Sequence, residues 1–375
     1  MDLIFLNLKE DKLIGVIRLD RLGDTVLTLP AIKIIKENFP TFKIVAILSN
    51  YNSNLFVYNN KIIHPYFDFI EIIDIKLNYY FNDINSIFIR SYDNFLNFIN
   101  ILKFIKVLKS KYSFRKLYVF SPNFISYLLG FFLKSNEKYT YFYQTKLINY
   151  HLFKGAYNFY LDKVDKVFEQ EYLSQGLKIN HEIVQNLLVL KQDKDIEINI
   201  DNINYFEDLK KFRPFLIAPD LNLETFDILF FDKNLLIRDN ISKKFLEKLL
   251  LEINIYCKNR NLKFTFVTNR DWELQNIKVI RPNISELLYL ISNSKIVITF
   301  DGGPVHIASA FNIPTIALFS NRYFYFDSYR WAPLSDKSYI IKLDIFDENL
   351  NKFDFSNLDY FNIFYQIKHF IEKII

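Results

Sequence analysis

The strongest constraint on this chain comes from two short segments that lie about 280 residues apart. Each follows an apolar run, passes through a tight turn with glycine and aspartate, and leads into a stretch with helical spacing. The first segment is Arg18–Asp24 (RLDRLGD), and the second is Thr299–His306 (TFDGGPVH). Three of the chain's seven glycines lie in these two turns, which marks backbone that bends sharply or approaches a ligand. Strand, turn and helix in this order predict βαβ units.

The same alternation of strand-like and helix-like segments runs through the 375 residues. Strands are predicted at Leu13–Ile17, Lys43–Leu48, Phe69–Ile73, Leu117–Phe120, Phe215–Ala218, Lys263–Val267, Lys278–Ile280, Lys295–Thr299 and Thr315–Leu318. Helices are predicted at Thr25–Asn38, Asn94–Leu108, Asn123–Phe132, Ser242–Lys258, Ser285–Ser292 and Pro304–Phe311. This pattern predicts an α/β fold of two doubly wound parallel sheets, one in each of two domains. Because ligands bind at the carboxyl ends of such strands, where both aspartate turns lie, we expect a cleft between the domains.

A polar stretch at Lys191–Asp208 marks the expected domain boundary. It predicts an N-terminal domain at 1–205 and a C-terminal domain at 206–350. The tail, 351–375, carries apolar residues at helical spacing between Tyr360 and Ile371, and this spacing predicts a closing helix.

Composition narrows the class of protein further. Half of the residues are apolar and 24% are charged, as in soluble globular proteins. The single cysteine, Cys257, excludes an intrachain disulfide framework and a cysteine-based metal site, and it fits a reducing compartment. No apolar run reaches membrane-spanning length, and the start, Met1–Leu3, lacks the basic region of a signal peptide. We therefore expect a cytoplasmic protein.

The net charge of +5 at pH 7 is mild, and one segment is densely basic. Its cations, interleaved with apolar residues, are Lys103, Lys106, Lys109, Lys111, Arg115 and Lys116. One interpretation is the solvated face of a helix that packs its apolar stripe inward. The other is a surface that rests on anionic lipid head groups. No recognition motif for nucleic acid accompanies the charge, so no nucleic-acid partner is expected.

The turn at Asp301–Pro304 has the chemistry of an anion site. A helix N-terminus presents unpaired N–H groups and a partial positive charge. Gly302 and Gly303 would let a diphosphate approach the backbone, and His306 follows one turn later. The structural alternative is that Asp301 caps the helix and that His306 is a half-buried histidine. The segment lacks the Gly-Lys-Ser/Thr ending of a P-loop.

The turn at Gly23 and Asp24 places a carboxylate at the other strand end. Asp24 can serve as a general base toward a hydroxyl nucleophile if its surroundings desolvate it. Its structural alternative is again a helix cap. Arg18 and Arg21 flank the carboxylate and can hold a phosphate or pair with Asp24, or each can be a solvent-exposed arginine. Neither turn decides the function by itself.

Together, the order and spacing of these elements resemble the ADP-heptose:lipopolysaccharide heptosyltransferase family, glycosyltransferase family 9. That family opens with a strand, a basic or polar residue, a Gly-Asp turn and a helix with Pro-Ala-Ile/Leu and a basic residue. Ile14–Pro40 reproduces this order, including Leu29–Lys33 (LPAIK). Ile284–Ser320 is similar to the family's later block, with a Ser-Glu-Leu helix, Asp-x-Gly-Pro-x-His and Ala-Leu-Phe, and Arg330–Leu334 (RWAPL) matches an element downstream. The similarity covers about a quarter of the chain.

The resemblance implies a GT-B fold, in which two Rossmann-like domains face a cleft. The first domain would hold mainly the acceptor and the second the nucleotide sugar, with the C-terminal helix returning to the first. The implied reaction is an inverting, metal-independent sugar transfer that uses no cofactor. ADP-heptose is the favoured donor substrate, and the acceptor is a lipopolysaccharide core or another lipid-linked or surface glycan at the cytoplasmic face of the inner membrane. Asp24 becomes the base that deprotonates the acceptor hydroxyl.

The resemblance also implies donor-side roles. Asp301 would contact sugar hydroxyls, the amides of Gly302 and Gly303 the diphosphate, and His306 the phosphate region. Arg21 would face the donor, and Ile284 would cover the nucleotide base. The full set of candidate donor-binding residues is Arg21, Gly23, Lys233, Arg238, Ile284, Asp301, Gly302, Gly303, Pro304 and His306, with Arg18 on the acceptor or phosphate side.

The chain departs from the family pattern at several positions. Phe300 replaces a polar residue, and Gly302 replaces a common threonine. A Lys-x-Trp-Pro element that carries a phosphate-binding lysine has no clean counterpart, and Lys233 and Arg238 are the candidates to replace that lysine. Two alternatives therefore stay open: a family member with another nucleotide sugar, and a GT-B-like binding or scaffold protein without turnover. A dehydrogenase is disfavoured because no Gly-x-Gly-x-x-Gly follows the first strand.

Overall fold

The protein is described by a computed structural model covering residues 12–74, 92–175, 179–200, 203, 206–233, 236–237, 239–272 and 274–375. The chain divides into two compact units. The first comprises Met1–Asp165 and Ile183–Ile203, and the second comprises Lys166–Glu182 and Asn204–Ile375. The chain thus passes between the units three times, whereas the sequence predicts one passage at residue 205.

The segment 166–182 belongs to the second unit because its polar side chains bond there. The backbone N–H of Phe326 donates a hydrogen bond to Glu169 Oε1 at 3.1 Å. Glu182 Oε2 lies 3.0 Å from Arg330 Nε, and both side chains are almost completely buried. Partners so distant in sequence leave no local signal, and the sequence therefore assigns this segment to the wrong domain.

The structure contains the following regular elements. The strands are β1 (Leu13–Arg18), β2 (Lys43–Ser49), β3 (Val57–Tyr58), β4 (Lys61–Ile62), β5 (Phe69–Ile73), β6 (Phe114–Val119), β7 (Ser135–Tyr143), β8 (Phe159–Lys163), β9 (Ile228–Phe231), β10 (Phe264–Val267), β11 (Val279–Ile280), β12 (Ile296–Phe300), β13 (Thr315–Ser320), β14 (Ser338–Leu343), β15 (Phe346–Asp347) and β16 (Lys352–Phe353). The α-helices are α1 (Leu22–Val26), α2 (Leu29–Asn38), α3 (Tyr92–Lys111), α4 (Phe124–Phe132), α5 (Leu147–Phe153), α6 (Glu169–Ser174), α7 (Glu182–Lys191), α8 (Phe206–Lys210), α9 (Asn240–Asn259), α10 (Ile284–Ser292), α11 (Gly303–Ala310), α12 (Phe324–Arg330) and α13 (Tyr360–Ile374).

The described part of the first unit is built on a sheet of six parallel strands in the order β5-β2-β1-β6-β7-β8. Counted along the chain, this is the order 3-2-1-4-5-6 of a doubly wound sheet, and it reverses between β1 and β6. β1 is fully buried, as expected of a continuous apolar run in the middle of a parallel sheet. The end of β1 therefore lies at a topological switch point, where ligands bind in this fold class.

The second sheet has the same topology. Its six described strands are parallel and follow the order β11-β10-β9-β12-β13-β14, which reverses between β9 and β12. All residues of β9, β10 and β12 are buried. Phe300, at the end of β12, faces this core with its ring 6.2 Å from that of Phe230. This packing accounts for an apolar residue directly before Asp301. The two sheets confirm the predicted fold class.

The structure corrects two elements near the sites. The predicted helix Thr25–Asn38 is two helices, α1 and α2, that meet at Leu27 and Thr28. Pro30 occupies the first turn of α2 and cannot donate a backbone hydrogen bond to the preceding turn. The predicted strand Phe215–Ala218 is irregular, and the first strand of the second sheet is β9 instead.

The C-terminal helix α13 packs on α9, and both helices belong to the second unit. Its return to the first domain, which the resemblance implies, stays a prediction. Its buried stripe, Ile363, Ile367 and Ile371, joins the core of that unit. Asp359 caps the helix by accepting hydrogen bonds from the backbone N–H groups of Phe361 and Asn362. Among the residues described, no helix combines the length and apolarity needed to cross a membrane.

Candidate active-site residues

Arg18 organises the switch point of the first unit. It is the last residue of β1 and is 1% exposed. Its Nε lies 2.7 Å from Asp20 Oδ1, and its Nη2 lies 3.4 Å from Asp24 Oδ1. Its Nη1 donates hydrogen bonds to the backbone oxygen of Phe120 and, at 3.2 Å, to the hydroxyl of Tyr141. A buried cation is thus held between two carboxylates, which lowers the cost of its burial.

Asp24 is positioned by α1 rather than acting as its cap. The N-cap is Arg21, and Asp24 is the third helical residue, with its side chain 15% exposed. The hydroxyl of Thr28 donates to the backbone oxygen of Asp24 at 2.8 Å, and the amide of Asn52 donates to Thr25 Oγ1 at 2.9 Å. These bonds fix the turn that carries the carboxylate. Asp24 therefore pairs with Arg18 and is not the cap of α1, which was its structural alternative.

Asp20 is the second carboxylate on Arg18, and the sequence does not single it out. Burial raises the pKa of Asp20 to about 6, against the opposing effect of Arg18, while the charge of Asp24 raises it further. Ser121, which follows β6, donates a hydrogen bond to Asp20 Oδ1 at 3.1 Å. The sequence could have indicated Asp20 through the spacing Arg-Leu-Asp at the end of a strand, because this spacing places the two polar side chains at the same edge of the sheet.

The other residues predicted in the first turn lie beside this group. Arg21 is exposed, and Gly23 is buried as the second residue of α1. Gly23 is helical, so its backbone is not left-handed.

Lys233 and Asp301 meet at the switch point of the second unit. Lys233 follows β9 and Asp301 follows β12, and these neighbouring strands are parallel. Lys233 Nζ donates to Asp301 Oδ2 at 3.0 Å, with the two side chains 30% and 26% exposed. A sequence candidate for the phosphate-binding cation is therefore adjacent to the predicted sugar-binding carboxylate. Arg238, the other candidate cation, lies outside the described residues.

The turn after Asp301 opens α11. Gly302 is its N-cap, Gly303 is the first helical residue and Pro304 the second. The φ angle of Gly302 is 162°, which is extended backbone that any residue can adopt. A Cβ at Gly302 would lie 3.8 Å from its nearest neighbours, Phe300 O and Pro304 Cδ. The turn therefore does not require glycine at this position.

His306 lies one turn into α11 and is 3% exposed. Burial lowers its pKa to about 4, although the charges of Asp301 and Glu182 favour the protonated ring. Its Nδ1 has no hydrogen-bond partner among the described residues. The ring is therefore neutral at pH 7, and it can act as a hydrogen-bond donor or acceptor but not as a cation.

A second buried histidine lies in the same unit. His181 Nε2 is 3.2 Å from the backbone oxygen of Ala332, and burial lowers the pKa of His181 to about 4. The neighbouring Arg330 pairs with Glu182. The sequence missed His181 and Glu182 because about 150 residues separate them from the RWAPL element that they hold in place.

Two further carboxylates lie at the carboxyl ends of the second sheet. Asp232, beside Lys233, accepts a hydrogen bond from Thr268 Oγ1 at 3.0 Å, and its pKa is raised by burial. Asp327, on α12, has its pKa raised to about 6 by burial, with Lys166 opposing the rise and Asp301 adding to it. Ile284 begins α10 and is half-buried, behind the capping box of Asn283 and Glu286.

One group of carboxylates elsewhere in the first unit has metal-like spacing: Glu137, Asp193 and Asp195. Lys116 Nζ lies among them, at 2.8, 2.6 and 2.9 Å respectively. An ammonium ion thus occupies the position that a metal would take. Lys116 is 1% exposed, so it does not belong to the predicted basic surface.

Sequence comparison matches one part of the second unit to a family model. The model of glycosyltransferase family 9 (heptosyltransferase) matches residues 277–354, a range that includes Ile284, the Asp301–His306 turn and the RWAPL element. Searching the sequence against curated proteins gives no match.

Solved structures with the same architecture span essentially the whole chain. A glycosyl transferase family 9 protein from Veillonella parvula DSM 2008 has a TM-score of 0.60 and 15% identity, covering 100% of this chain and 99% of its own. E. coli heptosyltransferase WaaC, solved with ADP, has a TM-score of 0.62 and 12% identity, covering 97% and 100%. E. coli ADP-heptose lps heptosyltransferase II has a TM-score of 0.58 and 13% identity, covering 96% and 98%. At these identities the similarity establishes the fold.

The two sheets and the solved structures define a fold of two Rossmann-like α/β domains of the GT-B type, and the family model adds a match to glycosyltransferase family 9 over residues 277–354. The resemblance to glycosyltransferase family 9 is confirmed, by sequence over residues 277–354 and by fold over the chain as a whole.

Proposed function

We propose that this protein is an inverting sugar transferase that takes its sugar, heptose being favoured, from a nucleoside diphosphate donor. The observation that carries the proposal is the pair Lys233–Asp301 at the switch point of the second sheet, beside the start of α11. A cation, a carboxylate and a helix N-terminus in one place suit a ligand with both anionic phosphates and sugar hydroxyls. Two structural relatives support the choice of donor, since one was solved with ADP and another is named for ADP-heptose.

On the donor side, each group has a distinct proposed role. Lys233 and the amides of Gly302 and Gly303 receive the diphosphate, and Asp301 accepts hydrogen bonds from sugar hydroxyls. His306, neutral because of its burial, donates an N–H to the phosphate region without adding charge. Ile284 covers the nucleotide base. Transfer without a metal follows from these groups, because a lysine and a helix dipole can stabilise the charge that develops on the departing diphosphate.

On the acceptor side, Asp24 is the proposed general base. A carboxylate oxygen of Asp24 takes the proton of the acceptor hydroxyl while the hydroxyl oxygen of the acceptor bonds to the anomeric carbon. The bond from the anomeric carbon to the diphosphate breaks, and the electron pair leaves with the diphosphate. Attack from the face opposite the leaving group inverts the anomeric centre. Arg18 orients Asp24, and Asp20 shares the charge of Arg18.

The proposed acceptor is a lipopolysaccharide core or another lipid-linked or surface glycan. Such an acceptor places the reaction at the cytoplasmic face of the inner membrane, with the protein in peripheral contact with the lipid. A donor with a different nucleotide or sugar is the main alternative, because the chain lacks the threonine common at position 302 and a clean Lys-x-Trp-Pro element.

The test is calorimetric binding of the purified chain to ADP, UDP, GDP, CMP and ADP-heptose. We expect a preference for ADP and ADP-heptose. A preference for another nucleotide would retain the reaction type and change the sugar. A well-folded chain that binds none of the five would contradict the transferase proposal and favour a scaffold.

A further inference from the structure

One side of the first unit exposes apolar side chains on three helices. They include Leu102, Val107, Phe131, Phe132, Leu147 and Leu152, which are between 36% and 59% exposed. The opposite sides of α3, α4 and α5 pack into one hydrophobic core, and α4 contacts both of the other helices. The outer sides of the three helices therefore form one surface, which we call the basic apolar face.

Apart from Asp93, near the start of α3, the same helices carry positive charge and no negative charge. Residues 98–111, 124–134 and 146–154 contain seven lysines and no aspartate or glutamate. Lys111 pairs with Glu71 at the edge of this region. Lys103, Lys106, Lys109 and Lys134 are exposed. Burial and the charge of Lys109 lower the pKa of the nearby Lys138.

A groove between α3 and α4 combines both properties. Its volume is about 430 Å³, and its apolar wall includes Leu102, Ile105 and Phe132. Three lysines stand at its rim, Lys106, Lys109 and Lys134. Lys109 Nζ lies 5.8 Å from the centre of the Phe132 ring. An apolar floor with ammonium groups at its edge matches an acyl chain with a phosphate head group.

We propose that the basic apolar face docks on a bilayer that contains anionic phospholipid. The lysines would lie at the phosphate level, and Phe131, Phe132 and Leu152 would enter the boundary with the acyl chains. Charge complementarity selects this occupant over a second copy of the chain, because two copies would bring like charges together. The proposal deepens the membrane contact of the proposed function by assigning it to a surface.

The experiment is co-sedimentation of the full chain with vesicles of phosphatidylcholine, alone or with about 30% phosphatidylglycerol. We expect binding only to the anionic vesicles and weaker binding at high salt, because salt screens exposed charge. The triple variant K106E/K109E/K134E should bind on the order of 100-fold more weakly, since each lysine near an anionic surface contributes roughly five-fold. The variant F131S/F132S should also bind more weakly, while retaining the salt dependence.

The matched control is K243E/K244E/K337E, which reverses three exposed lysines of the second unit and should bind like the unaltered chain. Equal loss in this control would overturn the proposal, as would equal binding to both vesicle types. A dimer in solution that is lost in F131S/F132S, without vesicle binding, would assign the face to a second copy. Nucleotide binding should be measured for every variant as well. The altered residues lie outside the two switch points, so a variant that loses vesicle binding but keeps nucleotide binding tests the membrane proposal alone.

Discussion

Arg18 and Lys233 lie at the carboxyl ends of the first strands of two sheets with the same strand order, yet their surroundings differ. Arg18 is buried and already surrounded by two carboxylates, a backbone carbonyl and a tyrosine hydroxyl. Lys233 is partly exposed and pairs with one partly exposed carboxylate. The first arrangement holds a carboxylate in a fixed orientation before any ligand arrives, as a general base requires. The second leaves a cation accessible to an incoming anion.

The pKa values of the buried groups beside Arg18 and Lys233 also differ between the two units. In the first unit, Asp20 shares the charge of Arg18, and burial raises the pKa of Asp20 to about 6, with a further contribution from the charge of Asp24. In the second unit, the nearby histidine is neutral at pH 7, so Lys233 and the start of α11 supply the positive potential. This contrast agrees with the proposed division of roles, in which the first switch point carries the general base and the second binds the donor.

The largest expected effect tests the chemical half of this comparison. Asp24→Asn should reduce sugar transfer by roughly 10²- to 10⁴-fold, because a general base contributes that much, while nucleotide affinity should stay unchanged. Activity and calorimetry on the same preparation provide the measurement.

Asp20→Asn is the matched control for Asp24→Asn, since it removes the other carboxylate on Arg18. Its effect on the rate should be smaller, because Asp20 is not proposed to take the proton. If Asp20→Asn is the more damaging change, Asp24 is not the base.

Lys233→Ala tests the donor half and should weaken ADP binding by roughly 10- to 100-fold, as expected for a charge-assisted contact. Lys295→Ala is its control. Lys295 forms a 2.9 Å ion pair with Asp227, and both lie at the amino ends of the same strands, β12 and β9. Both variants should lose no more than about 1 kcal/mol of stability. Equal ADP affinity in the two variants would remove Lys233 from the site.

His306→Ala should weaken ADP binding by about 2- to 10-fold, the range for a neutral hydrogen bond. Unchanged affinity, measured by calorimetry, would return His306 to a purely structural role.

The same residue predicts a pH dependence of stability. The pKa of folded His306 is about 4 and that of the unfolded chain about 6.5. As pH falls through this interval, the unfolded chain gains its proton first, so His306 costs stability. Relative to His306→Gln, the unfolding free energy of the unaltered chain should fall by up to roughly 3 kcal/mol between pH 7 and 4. Urea titrations at both pH values measure this difference, and a constant difference would contradict the assigned pKa.

The smallest effect is expected at Gly302. Gly302→Thr should change the unfolding free energy by less than about 1 kcal/mol, because the backbone is extended and a Cβ has room. Gly130→Ala is the contrast: its Cβ would collide with the hydroxyl of Tyr157 and should cost about 1–3 kcal/mol. Thermal unfolding of both variants decides whether glycine at 302 is a backbone requirement.

The sequence predicted the two switch-point turns because each is a local strand–turn–helix pattern. It missed β9, although Ile228–Phe231 is a continuous apolar run. The apolar run Phe215–Ala218, between two prolines, was predicted as the first strand of the second sheet instead. The few glycines do not mark the left-handed backbone of this chain. Left-handed backbone occurs at Tyr323 and at asparagines: Asn59, Asn60, Asn261, Asn276, Asn312 and Asn351. Asparagine tolerates that conformation, so glycine is not its marker in this chain.

The unpredicted parts of the sites depend on contacts between distant residues. Asp20 and Ser121 meet because β1 and β6 are neighbours, and Lys233 meets Asp301 because β9 and β12 are neighbours. Strand order decides both contacts, and no local pattern in the sequence encodes that order. The family resemblance offered Lys233 as one of two candidates for the phosphate-binding cation, and the structure shows that Lys233 pairs with Asp301.

The three passages of the chain between the units have a consequence for biosynthesis. The segment 166–182 leaves the ribosome soon after the last strand of the first sheet, yet Glu169, His181 and Glu182 find their partners at Phe326, Ala332 and Arg330. Those partners are translated about 150 residues later, which takes roughly 8 to 30 seconds at about 5–20 residues per second. During that interval the nascent chain carries a completed first sheet and a tethered piece of a second unit that does not yet exist. A fragment that ends at residue 205 would contain 166–182 without its partners. A fragment that keeps 166–182 together with 204–375 requires two non-contiguous segments of the gene to be joined.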